Sequence, residues 1–389
     1  DGRSGAECAE IERREPRSRD ITGNIAMPGF TAPKLNWVSN HEPDIFAKVA
    51  KILLPKDYVR YRMSGAFISD MSDAAGTLWL DVAKRDWSDA MLAASGLNRD
   101  HMPALVEGSE AGGTMRADLA SELGFDSPPI LCGGAGDNAG GAAGIGAISP
   151  GEAFISLGTS GVYFVANEKF SPNPEKTVHA FCHCVPNSWH QMSVFLSAAS
   201  CLGWAQKLTG ASDVASLIAR AEAETDGPAS EIFLPYLSGE RTPHNDPNAK
   251  GVLFGITHET SPASLMRAVM EGVAFAFADG QDVLLEAGAE IGNVSVIGQG
   301  AKSAFWGKIL ASALNRPLRY LHGGEVGPAH GAARLARIAV TGEAPADVCR
   351  VPPVKETIEP DRGLAEAYAV KRVKFQSLYK TLKSEFVGA

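Results

Sequence analysis

The pattern of apolar and polar positions changes character near Ser149-Pro150. Before that point short helical stretches dominate. Thr31 to Lys56 reads as two consecutive helices, with Pro33 suited to a first turn and Glu42-Pro43-Asp44 restarting the run. Pro55-Lys56-Asp57 opens another helix that closes at Ser64-Gly65. Trp87-Ser88-Asp89 caps a short one, and Met115 to Leu123 forms one more. Between them, Ile68 to Thr77 reads as a polar loop carrying Asp70 and Asp73, which leads into the apolar Leu78-Trp79-Leu80.

After Ser149-Pro150 strands come first. Val178 to Leu196 alternates as a hairpin around Pro186-Asn187. Helices follow at Ala198 to Leu208 and Asp213 to Glu222. Ser261-Pro262 begins the longest helix, to about Ala287, with Leu265, Val269, Val273 and Phe277 on one apolar face. The last third alternates: a strand from Val294 into a glycine turn, a helix Ser303 to Leu314, a strand Leu318 to Leu321, and a helix Gly327 to Val340. An amphipathic helix, Gly363 to Phe386, ends the chain. Such alternation implies a sheet covered by helices, here in two lobes.

One stretch joins the two textures. Ile130-Leu-Cys132 is a short apolar strand that runs into Gly133-Gly134-Ala135-Gly136, then Asp137-Asn138 and a helix of small residues. Ligands of open α/β sheets bind at such strand ends, and a carboxylate is favoured at a helix N-terminus. Beyond Ser149-Pro150, Ala153 to Leu157 and the run from Gly161 read as a hairpin. Its turn, Gly158-Thr159-Ser160-Gly161, offers backbone N–H groups and two hydroxyls suited to phosphate oxygens. The same residues also suit an N-cap and an ordinary hairpin turn.

Composition narrows the classes. A chain of 389 residues allows two or three domains of roughly 100–200 residues. It is 45% hydrophobic and 21% charged, as ordinary globular proteins are. Net charge is −9 and no Lys/Arg run is long enough to track phosphates, which argues against nucleic-acid binding. Apolar runs such as Gly272 to Ala278 are too short to span a bilayer, and the N-terminus has no signal-peptide pattern. Six cysteines without a C-x-x-C pair read as reduced thiols of a cytoplasmic protein.

Motifs spread over nearly the whole chain carry a resemblance. They are Met27 to Trp37, Leu54 to Tyr58, Ser69 to Thr77, Gly136-Asp137-Asn138-Ala139, Ser156 to Gly161, Leu237 to Pro243, Gly298 to Ser303 and Glu325 to Ala329. In this order they resemble the FGGY family of carbohydrate kinases. The resemblance implies an α/β fold of two ribonuclease-H-like lobes, of the actin/Hsp70/sugar kinase superfamily, around a cleft. Residues 1–147 would form the sugar-binding lobe, 148–345 the nucleotide-binding lobe and 346–389 a C-terminal helical extension. It implies ATP and Mg²⁺ and a small sugar as the other substrate; charge and apolar-run length argue against nucleic-acid and membrane partners, and a homodimer is the default assembly.

By match to the family motifs, Asp137 would be the catalytic base for the sugar's 5-hydroxyl and Asn138 would hold a substrate hydroxyl. Gly158, Thr159, Ser160 and Gly161 would lie under the β- and γ-phosphates, and Gly298, Gly300, Ala301 and Ser303 would line the adenosine site. No residue is assigned to a metal. The Met27–Lys34 and Ser69–Thr77 stretches favour D-xylulose over ribulose or glycerol. Gln299 stands where the family has a middle glycine, and His330 where it usually has leucine. The chain starts at Asp1-Gly2-Arg3, inside a family stretch. The expectation is therefore a first lobe truncated at its N-terminus, without its opening sheet, and poor at catalysis.

Other constellations read as structural. Cys182-His183-Cys184 fits strand packing and no zinc spacing. Asp70 and Asp73 could form a carboxylate pair for proton transfer but equally suit caps and turns. Arg241 could touch phosphate or, the favoured reading, pair with a neighbouring carboxylate, and Glu271 suits an interface.

Overall fold

Alternate residues of Ala153–Leu157 divide the core of the second lobe. Ala153, Ile155 and Leu157 belong to one cluster, with Val273, Phe277 and Trp306. Phe154 belongs to another, with Phe164, Ala142 and Ile145, as the two-residue period of a strand requires. In the computed structural model, which describes residues 2–323 and 327–387, this strand lies at the centre of a seven-stranded sheet. The order is Val354–Ile358, Leu318–Leu321, Val294–Ile297, Ala153–Leu157, Gly161–Asn167, Trp189–Phe195, His179–Cys182. Val294–Ile297 is parallel to both of its neighbours, and the other ladders are antiparallel.

The Pro262–Glu286 helix covers one face of the sheet. Ser261 caps it, its Oγ accepting the Ser264 N–H at 3.1 Å. Its burial is wider than the predicted stripe, because every residue from Met266 to Gln281 is buried. The cause is packing on several sides, by Ser200–Thr209, Val214–Glu224 and Ala304–Leu314. Glu271, fully buried, accepts from Arg267 Nε at 3.0 Å, Lys371 Nζ at 2.6 Å, Tyr368 OH at 3.0 Å and the Ala229 N–H at 3.0 Å. That network fastens the Arg362–Leu382 helix to the lobe and is the interface role expected of Glu271. The stretch expected as a helical extension also supplies an edge strand, Val354–Ile358.

The opposite face carries the Asp137–Ile145 helix, crossed by Gly327–Thr341. Small residues make the crossing close: a Cβ on Gly331 would overlap the Gly140 carbonyl.

The first lobe packs around Trp79, Leu80, Trp87, Met91 and Leu92. Its described strands form two-stranded ladders: Ile68–Asp70 with Ala104–Val106, Leu80–Asp81 with Asp86–Trp87, and Ala111–Thr114 with Ile130–Cys132. The stretch read as a polar loop resolves into the strand Ile68–Asp70 and the helical turn Met71–Ala75. Asp70 caps that turn by accepting from the Ser72 and Asp73 N–H groups.

All six cysteines are free, and no described helix is long and apolar enough to cross a membrane. Asp1, Glu325, Val326 and the side chain of Gln299, each part of a motif above, lie outside the described residues.

Candidate active site

Asp137 is the first residue of its helix, exposed, with Gly136 in extended backbone at the N-cap. Its Oδ1 accepts from the Asn138 N–H at 2.7 Å and from Asn138 Nδ2 at 3.0 Å. The turn beneath it is held from behind. The Gly136 N–H donates to Ser72 Oγ at 3.0 Å, and that hydroxyl donates to the buried Asp70. Lys56 Nζ lies 2.6 Å from Asp57, 2.7 Å from Asp70 and 3.2 Å from Asp73. Arg60 pairs with Asp57 at 2.6 Å and donates to the Cys132 and Gly133 carbonyls at the strand end. Burial pushes the Asp73 carboxyl up, against the pull of Lys56. The two acids considered for proton transfer thus buttress the turn that carries Asp137.

Asp137 and Asn138 line a cavity of about 490 Å³ together with Gly158 and Ser160. Thr159 and Gly161 belong to the same turn but not to the lining. The Thr159 carbonyl accepts from Ala198 N–H at 2.9 Å and Ser200 Oγ at 2.8 Å. Gly161 sits under Phe277, where a Cβ would come within 2.5 Å of the ring.

A second cavity, of about 620 Å³, is lined by Gly300 and Ser303 with Leu202, Val214, Ile218 and Phe305. Its apolar walls suit a flat heterocycle. Ala301 packs against the core beside it, and Gly298 (φ +91°) lies against Leu157, whose carbonyl a Cβ would meet at 2.8 Å. Ser303 Oγ accepts the Trp306 N–H at 3.1 Å and so caps Ala304–Leu314.

The turn at Gly158 stands between the two spaces. Its carbonyl accepts the Ala199 N–H at 2.9 Å, and Ala199 lines the second cavity while Gly158 lines the first. A ligand with an apolar ring in one space and a charged chain over the turn would end beside Asp137.

Met27 and Phe30 of the first motif and Arg241 also line the first cavity, as does His179, which the sequence did not single out. Arg241, expected to pair with a carboxylate, instead meets His179, with Nη1 3.5 Å from Nε2. No local signal marks their meeting, because the hairpin and the Pro-bounded loop that bring them together are 62 residues apart. Cys182, His183 and Cys184 are buried, and among the described residues no group of His, Cys, Asp or Glu could hold a metal ion.

Glu240 is buried beside the cavity wall, its Oε1 accepting from the Leu196 N–H at 2.9 Å and the Arg241 N–H at 2.7 Å. Burial pushes its carboxyl up to about 8. The folded chain then keeps a proton that the unfolded chain, with its ordinary value of 4.5, gives up. Through Glu240, stability is unaffected below that value and falls as pH rises to about 8. Glu240→Gln removes this contribution, so urea unfolding at pH 5 and pH 8 should show a smaller drop in the variant than in wild type. Equal drops would refute the assignment.

With this geometry in place, the comparisons are direct. The N-terminal domain of the FGGY family of carbohydrate kinases matches residues 1–144 and its C-terminal domain residues 153–340. The chain belongs to that family and is a carbohydrate kinase with the actin/Hsp70/sugar kinase fold. It is 54% identical to the xylulose kinase of Escherichia coli (strain K12) over 98% of its own length and 79% of the relative's. To the xylulose kinase of Bacillus subtilis (strain 168) it is 37% identical, over 86% of this chain and 68% of that one. The crystal structure of a xyloylose kinase from Brucella ovis superposes with a TM-score of 0.95 at 50% identity, covering 99% of this chain and 79% of that one.

Proposed function

We propose that this chain transfers the γ-phosphoryl group of ATP to the 5-hydroxyl of D-xylulose, giving D-xylulose 5-phosphate and ADP. The observation that carries the reading is the Gly158 turn, which lines the cavity that holds Asp137 and is hydrogen-bonded to Ala199 in the wall of an apolar cavity. The names of the relatives supply the sugar. In this reading residues 1–147 hold the sugar, residues 148–345 hold the nucleotide, and residues 346–389 brace the nucleotide lobe.

The chemistry asks little covalent work of the protein. Phosphoryl transfer depends on positioning and charge neutralisation. Asp137 takes the proton of the 5-hydroxyl as its oxygen attacks the γ-phosphorus. The bond to the β,γ-bridging oxygen breaks and ADP leaves with the electron pair. Asn138 holds a neighbouring hydroxyl, Gly158 and Ser160 face the phosphates, and Gly300 and Ser303 border the adenosine. A Mg²⁺ ion usually keeps several waters and needs only one or two carboxylates besides phosphate oxygens, so the exposed Asp137 suits an ion that arrives on the nucleotide. When bound, it would neutralise the phosphate charge.

The test is ADP release by the full chain with MgATP against D-xylulose, D-ribulose and glycerol. Turnover with kcat/KM highest for D-xylulose is expected. A preference for ribulose or glycerol would reassign the sugar, and nucleotide binding without turnover on any sugar would overturn the reading.

A further inference from the structure

Arg241 brings a cation to the cavity of Asp137 without an ion-pair contact to a carboxylate among the described residues. Its backbone is pinned on three sides. Its N–H donates to Glu240 Oε1, its carbonyl accepts from Thr177 Oγ1 at 2.8 Å, and the next N–H, of Thr242, donates to Val194 O at 3.1 Å. From that anchor the side chain reaches the cavity wall. Among the described residues no carboxylate stands within ion-pair distance of the guanidinium, and the oxygen that Glu240 has in use is taken by backbone. Burial accordingly pulls the Arg241 guanidinium down, with Glu240 opposing.

What aims the guanidinium can be read from hydrogen-bond inventory. Asn24 Nδ2 donates to the Thr22 carbonyl at 2.7 Å and the Ala180 carbonyl at 3.0 Å. Its Oδ1 is therefore the atom that faces His179 Nδ1, 3.0 Å away. An amide oxygen only accepts, so Nδ1 carries the hydrogen and Nε2 presents its lone pair to Arg241. Burial, with Arg241 adding to it, holds this imidazole neutral by pushing its pKa down to about 3. One guanidinium N–H is spoken for, and Arg241 shares the lining of the cavity with Ser160 and Asp137.

Even a half-buried cation such as Arg241 is costly unless an anion meets it. A sugar hydroxyl can be held by neutral groups, whereas phosphate oxygens match the planar fork of arginine two at a time. We propose that Arg241 is a ligand of the phosphoryl group in transfer, and of the product's phosphate ester, and that Asn24 and His179 are positioning residues that aim it. The inference rests on the kinase reading above and adds to it the residue that takes up charge on the transferred oxygens.

The experiment combines titration calorimetry of the full chain, using D-xylulose 5-phosphate and D-xylulose as probes, with steady-state kinetics. Arg241→Gln should weaken the ester about 10- to 100-fold, the scale of losing charge-assisted hydrogen bonds. Binding of the free sugar should stay within about threefold and kcat should fall with KM for D-xylulose unchanged, because the interaction forms with the phosphoryl group alone. Should that variant fail to fold, Arg241→Lys keeps the charge without the fork and should lose several-fold on the ester alone. His179→Gln retains an acceptor toward Arg241 and should stay near wild type. His179→Asn retains only the side facing Asn24 and should follow Arg241→Gln part of the way. A merely structural role would move sugar and ester together and both histidine variants alike. Ester binding unchanged in Arg241→Gln overturns this inference while leaving the kinase reading intact. Ester binding that depends on Arg241 in a chain that releases no ADP supports the inference and sinks the kinase reading. A wild-type chain that binds neither probe overturns both.

Discussion

Asp137→Asn lowers kcat for D-xylulose phosphorylation by about 10³-fold, within the 10²–10⁴ typical of a general base, and leaves the melting temperature close to that of wild type. That loss corresponds to roughly 4 kcal/mol of transition-state stabilisation. The two parts of the prediction have separate causes. Asparagine keeps an oxygen that can accept the Asn138 N–H, now at 2.7 Å from Asp137, but it cannot take the proton of the attacking hydroxyl. Stability is spared because Asp137 is exposed and the turn beneath it is held by Ser72, Asp70, Lys56 and Arg60 rather than by its own side chain. The measurement is ADP release at saturating MgATP and sugar, with melting followed in parallel. A fall of less than about tenfold would remove Asp137 from the role of base. A large drop in melting temperature would instead make its contribution structural.

That buttress marks where the sequence was legible and where it was not. Signals carried by neighbours along the chain came through. Ser261-Pro262 announced the start of the long helix, and Asp213 and Ser303 likewise cap the helices that begin just after them. Alternation announced the His179–Cys182 and Trp189–Phe195 pair, and the strand–glycine pattern announced the helix that Asp137 begins. Two elements escaped because their patterns are polar. Gly5–Arg14 buries only Cys8, Ile11 and Glu7, and Val354–Ile358 exposes every residue except Ile358, as an edge strand can. Partners set by tertiary contact escaped as well. Asp70 and Asp73 converge on Lys56 from a strand and a helical turn beyond its own helix, and Arg241 meets His179 between a loop and a strand of the second lobe. The motif glycines themselves divide by environment: Gly158 faces a cavity with room around it, whereas Gly161, Gly298 and Gly300 are small because Phe277, Leu157 and Trp306 crowd them, Gly300 while also lining a cavity.

The helix that Asp137 begins is the element most exposed to a single methyl group. Gly331→Ala is expected to cost about 3 kcal/mol, the upper end of the usual range for overpacking. The new Cβ would strike the Gly140 carbonyl and lie 3.0 Å from the Gly144 nitrogen, and both are helix backbone that cannot swing aside. From the other side, a Cβ on Gly144 would meet the Gly327 carbonyl at 2.5 Å, so the two helices touch backbone to backbone at two levels. Gly141→Ala is the control on the same helix. A Cβ there meets nothing within 4 Å, and alanine's better helix propensity should leave stability unchanged or raise it by up to about 1 kcal/mol. Urea unfolding of both variants separates clash from propensity. The Gly331→Ala chain that does fold must push the Asp137–Ile145 helix away from Gly327–Thr341, which moves Asp137 relative to the Gly158 turn. Its kcat should therefore fall more than its KM rises, since misalignment of about 1 Å can cost 10²-fold in rate. Equal stability of the two variants would mean that the helices do not cross at the spacing described here, and that Asp137 is aimed by its buttress alone.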